Sequence, residues 1–239
     1  MIAVDDWGTI PYRLAWERQE ALRQQRLADT IDDTLILCEH PRVFTTGRQD
    51  CSADWRADAA TIAQAGIEVV PSNRGGRVTY HGPGQLVGYC IFNLHARKIG
   101  VREFVTQVEE LLIRTLAHFQ ILAGRDAAYP GVWVGQQKVA ALGLHISHGV
   151  TLHGFALNYA PQLSDYQYIV PCGIQQRGVT SIAALRGGNA PTRADVVATL
   201  CRMLTDVFPE RSSSYSAASN IGPTFTPVAG GCSSGRSSS

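Results

Sequence analysis

Val-Trp-Val-Gly-Gln-Gln-Lys-Val-Ala-Ala-Leu-Gly-Leu-His-Ile-Ser-His-Gly-Val-Thr-Leu-His-Gly-Phe-Ala-Leu-Asn-Tyr, residues 132–159, decides the fold class. Val132 to Val134, Val139 to Ile146 and Val150 to Tyr159 read as three consecutive strands, because short apolar, β-branched and aromatic runs are separated only by turn residues. Ser147-His148-Gly149 suits a hairpin turn. Strands in direct succession cannot be joined by helical crossovers, so a mixed, largely antiparallel sheet of the α+β class is expected rather than a regularly alternating parallel one.

On both sides of this block the pattern changes to helix. In 101–121, Val101, Phe104, Val105, Val108, Leu111, Leu112, Leu116 and Phe119 recur at steps of three and four, which predicts an amphipathic helix against the core. Helix formers fill 12–28, and the apolar run 34–38 predicts a buried strand stopped by His40-Pro41. A weaker helix is expected over 54–65 with Asp54 as its cap, followed by a strand at 67–70. A last helix is expected at 193–207, after Pro191-Thr192. From Arg211 onward Ser, Gly and Pro dominate, so one domain over 1–211 and a largely disordered tail over 212–239 are expected.

The 239 residues, 45% of them hydrophobic, suffice for one substantial core. With 17% charged residues and a net charge of +1, the chain carries no electrostatic footprint for nucleic acid or an anionic membrane. Six scattered cysteines without a Cys-x-x-Cys pair suit a reducing compartment. The first residues lack a basic and then apolar leader, and no apolar run reaches the roughly 18 residues that span a bilayer. A cytoplasmic protein is the expectation.

Two features carry chemistry. Arg-Gly-Gly-Arg-Val-Thr-Tyr-His-Gly-Pro-Gly-Gln at 74–85 is a glycine-rich segment that lets a ligand approach backbone amides, yet it has neither a phosphate-loop Lys-Ser/Thr nor dinucleotide spacing. Pro171-Cys172-Gly173 offers a sulfur nucleophile, and Lys138 an ammonium that stabilises a thiolate if the two meet. His145, His148 and His153 are the one histidine cluster along the sequence, and their spacing fits no zinc signature, so no metal site is expected.

Arg-Gly-Gly-x-x-Thr-Tyr-His-Gly-Pro-Gly-Gln-Leu-Val-Gly-Tyr at 74–89, Lys-x-x-Ala-Leu-Gly at 138–143, His-Gly-Phe-Ala-Leu-Asn at 153–158 and Pro-Cys-Gly-Ile at 171–174 occur in one order. Together with His-Pro-x-Val-Phe-Thr-x-Gly-Arg at 40–48 and Val-Thr-Ser-Ile at 179–182, they make residues 12–208 resemble the lipoyl(octanoyl) transferase family. The resemblance implies the fold of the biotin and lipoate protein ligase catalytic modules. It also implies transfer of an octanoyl group from acyl carrier protein to a lysine of a lipoyl domain, through a thioester on Cys172 assisted by Lys138. Carried over position by position, the acyl-binding residues are Arg74, Gly75, Gly76, Arg77, Val78, Thr79, Tyr80 and His81, then Ala141, Leu142 and Gly143, then Gly154, Phe155 and Ala156. The implied partners are acyl carrier protein, the lipoyl domains of 2-oxoacid dehydrogenase subunits and the glycine cleavage H protein. Neither ATP nor a metal is implied. The rival readings are an ATP-dependent lipoate or biotin protein ligase and a non-catalytic acyl or lipoyl-domain binding module.

Overall fold

Three strands without an exposed residue, β2 (Asp33–Glu39), β6 (Gln85–Ile91) and β10 (Val150–Asn158), lie side by side at the centre of the molecule. Their continuous burial follows from being covered on both faces. In the computed structural model, which describes residues 2–174 and 177–209, they belong to an eight-stranded sheet of order β1-β2-β6-β10-β9-β8-β7, with β11 also pairing to β9. The remaining strands of this sheet are β1 (Ile2–Thr9), β7 (Gly124–Arg125), β8 (Val132–Val134), β9 (Gln137–Ser147) and β11 (Gly178–Val179). Within this sheet, among the described residues, only β1–β2 and β9–β11 pair in parallel. A second sheet, ordered β4-β3-β5, is built from β3 (Val43–Thr46), β4 (Glu68–Pro71) and β5 (Thr79–His81).

Helix α1 (Tyr12–Leu27) covers one face of the large sheet, where Ala15, Ile36, Val87, Tyr89, Leu152 and Ala156 pack together. The other face is covered by α4 (Val101–His118) and α6 (Arg193–Val207), which bury Phe104, Leu111, Leu112 and Leu200 against Leu35, Leu86, Phe155 and Leu157. Each strand therefore sends alternate residues to different helices. The short helices α2 (Ala59–Gln64), α3 (Leu94–Arg97) and α5 (Ile182–Leu185) fill the connections. Among the described residues no helix is long and apolar enough to cross a membrane.

The expected fold class is the observed one, and the central hairpin forms as read. Ser147 pairs with Val150, and His148 and Gly149 both take positive φ, the signature of a two-residue turn whose twist matches its strands. The helix at 193–207 starts on a reciprocal capping box between Thr192 and Asp195. Two boundaries differ, and one strand was not expected. The helix expected from Asp54 starts only at Ala59, capped by Asp58, while Asp54 is buried and pairs with Arg77 at 2.6 Å. Helix α4 stops at His118 because Gln120 takes a left-handed conformation, although Phe119 and Ile121 still reach the core. Strand β1 has no apolar alternation, since it is an edge strand whose residues are largely exposed. The tail expected at 212–239 lies outside the described residues.

Gly88 shows how tightly the two faces are coupled at the centre. A Cβ there would stand 2.1 Å from the ring of Phe155, which lies across the neighbouring strand. Gly88→Ala is expected to cost about 1–3 kcal/mol through overpacking, read as a lower urea midpoint with an unchanged slope.

Candidate active site

Pro171, Cys172 and Gly173 form a single tight turn in which Cys172 sits at φ 56°, ψ 16°, a left-handed conformation unusual for a side-chain-bearing residue. Its neighbours hold it there. The Cys172 N–H donates to the Val78 carbonyl at 3.1 Å, and the Val170 N–H donates to the Asp54 carbonyl at 2.7 Å. The turn is thereby fastened to the entry of β5 on one side and to the Asp54–Arg77 ion pair on the other. Backbone strain at a half-buried thiol is the pattern of a functional position.

Lys138 points at that sulfur. Its Nζ lies 3.7 Å from Cys172 Sγ, donates to the Pro130 carbonyl at 3.1 Å and sits 4.8 Å from the centre of the Trp133 ring. The residue is only 8% exposed, and no carboxylate among the described residues lies within ion-pair distance of it. A carbonyl and an aromatic face compensate a buried ammonium only in part, and the Cys172 sulfur lies next to it. Two strand contacts fix the lysine's position. It pairs with Trp133 on β8 and with Val179 on β11, and Gly131, at φ 132°, leaves room for its stem, since a Cβ there would come within 3.2 Å of Lys138 Cε.

From Cys172 a cavity open to solvent runs between the α1 face of the large sheet and β5. Arg74, Gly75, Gly76, Arg77, Thr79 and His81 line one side, and Ala141, Leu142, Gly143, Gly154, Phe155 and Ala156 line the other. Val78 and Tyr80 do not line it. They alternate to the opposite face of β5, where both are buried with Phe44 and Ile169, and Tyr80 donates to Asp165 at 2.7 Å. Val78 serves the site only through its carbonyl. Sequence reading missed Tyr12, Val87, Tyr89 and His153, which also line the cavity. Val87 and Tyr89 were legible as alternate residues of one strand, whereas Tyr12 gives no signal before the first turn of α1 is folded onto the sheet.

In space His153 lies within electrostatic reach of both His145 and His81, His81 meets His40, and His148 stands apart. His148 is exposed in the hairpin turn. The rings of His40 and His81 are 5.8 Å apart, and Tyr12 stacks on His81 at 5.8 Å. Partners set the tautomers. His40 donates from Nδ1 to the Ile10 carbonyl, so its Nε2 accepts from Tyr89 Oη at 2.6 Å. His81 donates from Nδ1 to Gln85 Oε1 at 2.7 Å, and His153 donates from Nε2 to Asn73 Oδ1 at 2.6 Å. Burial pulls the pKa of His40 down to about 4 and that of His153 to about 3, and drives His81 well below its ordinary value. All three are neutral. Arg74, the cation among them, is 7% exposed and is held by Thr45 through its Oγ1 and carbonyl and by the Gly75 carbonyl.

The Lipoyl protein ligase A/B catalytic domain model matches residues 11–205, nearly all of the described chain. The chain belongs to the lipoyl protein ligase A/B catalytic domain family. Within it, an octanoyltransferase of Alkaliphilus metalliredigens is 47% identical over 181 residues, which cover 75% of this chain and 83% of that protein. One of Chloroflexus aggregans is 46% identical over 204 residues, covering 84% and 92%. Among solved structures, lipoate-protein ligase A bound with ATP superposes with a TM-score of 0.64 at 14% identity, covering 86% of this chain and 84% of that one. A bi-partite lipoate protein ligase from Thermoplasma acidophilum gives 0.65 at 13% identity, covering 87% and 84%. At such identities these two show the shared family fold.

Neutral burial of histidine has a consequence for stability. Because the folded pKa values of His40 and His153 lie below the unfolded value of 6.5, the unfolded chain takes up protons first as the pH falls. Stability is full above pH 6.5 and falls below it, by about 2 kcal/mol for each of these residues at pH 5. Denaturant midpoints at pH 7 and pH 5 check this, and equal values contradict it. Thiol reactivity gives a second check. Burial pushes the Cys90 thiol up to about 12 and raises Cys38 further, so iodoacetamide near pH 7 is expected to label Cys172 well before either, as read by peptide mass.

Proposed function

We propose that the chain transfers an octanoyl group from acyl carrier protein to a lysine of a lipoyl domain, with Cys172 as the acyl-holding nucleophile and Lys138 as its cation. The observation that carries this reading is the 3.7 Å approach of the Lys138 ammonium to the Cys172 sulfur, which borders a cavity lined by glycines and alanines. The octanoyltransferase relatives, 46–47% identical, support the choice of acyl group.

In the first half-reaction the Cys172 thiolate attacks the carbonyl carbon of the carrier thioester. A new carbon–sulfur bond forms, the bond to the phosphopantetheine sulfur breaks, and that thiolate leaves to take up a proton. In the second, the acceptor lysine amine attacks the enzyme thioester, an amide forms, the ammonium proton is lost, and Cys172 returns as the thiolate beside Lys138. The Lys138 ammonium is placed to give its proton to the departing pantetheine sulfur in the first half-reaction, which leaves a neutral amine to accept the proton of the attacking lysine in the second and restores the ammonium beside the Cys172 thiolate. Exchange between thioesters is nearly isoenergetic and aminolysis runs downhill, so the cycle needs no ATP and no metal.

The cavity suits a saturated chain for much of its length. Gly143, Gly154, Ala141 and Ala156 present backbone and methyl groups, and the burial of seven carbons at about 0.8 kcal/mol each gives on the order of 5 kcal/mol to hold the acyl group between half-reactions. An adenylating ligase has no use for a thiol at the acyl carbonyl, which separates the two readings within this fold. The acceptors in this reading are the lipoyl domains of 2-oxoacid dehydrogenase subunits and the glycine cleavage H protein. Mixed with octanoyl acyl carrier protein and no nucleotide, the full chain is expected to gain the mass of one octanoyl group, and Cys172→Ser to gain none. Acylation that requires ATP would identify a ligase instead.

A further inference from the structure

Helix α4 carries a charge on its buried face. Glu109 is 6% exposed and stands among Val108, Leu111 and Leu112, all buried. A carboxylate taken out of water is kept only where donors reach it. Two do. Its Oε1 accepts from the Gly131 N–H at 2.9 Å, and its Oε2 pairs with Arg125 Nε at 3.3 Å. Arg125 also pairs with Glu110 at 2.7 Å and donates to the Thr106 carbonyl at 3.0 Å, so its charge does not depend on Glu109 alone.

The Gly131 N–H belongs to the peptide group whose carbonyl, that of Pro130, accepts from Lys138 Nζ at 3.1 Å. In a planar trans peptide the N–H and the C=O point in opposite directions, so Glu109 and Lys138 grip the same unit from its two sides. Carboxylate, peptide and ammonium therefore stand in one file, with the positive end of the peptide dipole toward Glu109 and its negative end toward Lys138. Hydrogen bonds in series polarise one another, and a charged acceptor strengthens the first of them. The carboxylate that Lys138 lacks as a direct neighbour is supplied one peptide away.

Little else fixes that peptide. It precedes β8, which begins at Val132, and among the described residues its N–H and carbonyl make no turn or loop hydrogen bond to other backbone groups. Gly131 takes φ 132°, and a Cβ there would stand 2.7 Å from the Ala140 carbonyl oxygen. Glycine permits this conformation without selecting it. A turn of the peptide plane would carry the Pro130 carbonyl off Lys138 and release the ammonium that stands 3.7 Å from Cys172 Sγ. The side chain of Glu109 opposes that turn.

We infer that Glu109 is a positioning residue for Lys138: by holding the Pro130–Gly131 peptide from α4, its carboxylate keeps the ammonium on the Cys172 sulfur. The inference rests on the reading of Lys138 and Cys172 as the reacting pair and extends that pair by one residue that touches neither substrate nor sulfur. Glu109 acting only as a structural anchor for the chain before β8 would affect the protein equally with and without the lysine charge. Acting through Lys138, it has nothing to do once that charge is gone.

The chain has two lysines, Lys98 and Lys138, so the ammonium can be observed directly. In the full-length protein with isotope-labelled lysine, NMR resolves two ε-methylene signals, that of exposed Lys98 and that of Lys138, shifted by the Trp133 ring it faces. Glu109→Gln keeps the shape but offers one acceptor oxygen to two donors. It is expected to move the Lys138 signal toward that of Lys98 and to slow single-turnover acylation of Cys172 by octanoyl pantetheine about three- to tenfold. In Lys138→Met the same substitution is expected to change the remaining rate by less than about twofold, the mark of an effect that passes through the lysine. Glu109→Asp, which keeps the charge and withdraws it from Gly131, is expected to move both readouts the same way. A Lys138 signal indifferent to both variants, or an equal fall in both backgrounds, overturns the inference. A moved signal together with an acylation rate indifferent to Lys138→Met supports the positioning and tells against the acyl-transfer role of the lysine.

Discussion

A buried lysine ammonium must be compensated. At Lys138 the described protein supplies a carbonyl and an indole face but no carboxylate, and the nearest group able to carry the balancing charge is the sulfur of Cys172. Much of the architecture serves that approach. The β8–β9–β11 pairing holds the lysine backbone, the Val78 carbonyl holds the cysteine N–H, and the glycine at 131 clears the path of the lysine stem. In the proposed reaction the ammonium has two uses, beside the attacking sulfur and as the group that handles the proton of an incoming amine.

The cavity leading away from the pair changes character along its length. Near Cys172 it is lined by glycines and alanines of β9 and β10, where backbone and methyl groups suit methylenes. Toward α1 it becomes a chamber of neutral histidines and tyrosines, with tautomers set by Ile10, Gln85 and Asn73. Fixing those rings in a neutral state costs stability in acid, yet it provides oriented donors and acceptors without a net charge beyond that of Arg74.

Much of this was legible in the sequence, for identifiable reasons. The 132–159 block announces consecutive strands because they are short, apolar and separated by turn residues, and α4 announces itself by an unbroken three-four spacing. The β1 strand did not, since an exposed edge carries Asp5 and Asp6 in place of an alternating apolar set. Asp54 resembled a helix cap because Asp58 repeats the same signal four residues later, and only the tertiary structure shows which carboxylate caps and which pairs with Arg77. Val78 and Tyr80 were drawn into the site because a contiguous motif hides the two-residue alternation of the strand it occupies. The meeting of Lys138 and Cys172, 34 residues apart, came from resemblance and not from spacing. His153's left-handed backbone had no sequence signal at all, because nothing in a histidine announces a positive φ inside a strand.

The central claim is that the Lys138 charge, rather than its bulk, supports the chemistry of Cys172. The most direct measurement is the single-turnover rate at which Cys172 takes an octanoyl group from its carrier thioester near pH 7, compared between the unaltered chain and Lys138→Met, which keeps an unbranched side chain and removes the charge. The account predicts a fall of about tenfold or more, the equivalent of at least ~1.4 kcal/mol of lost stabilisation. An unchanged rate in a variant of unchanged stability would contradict it.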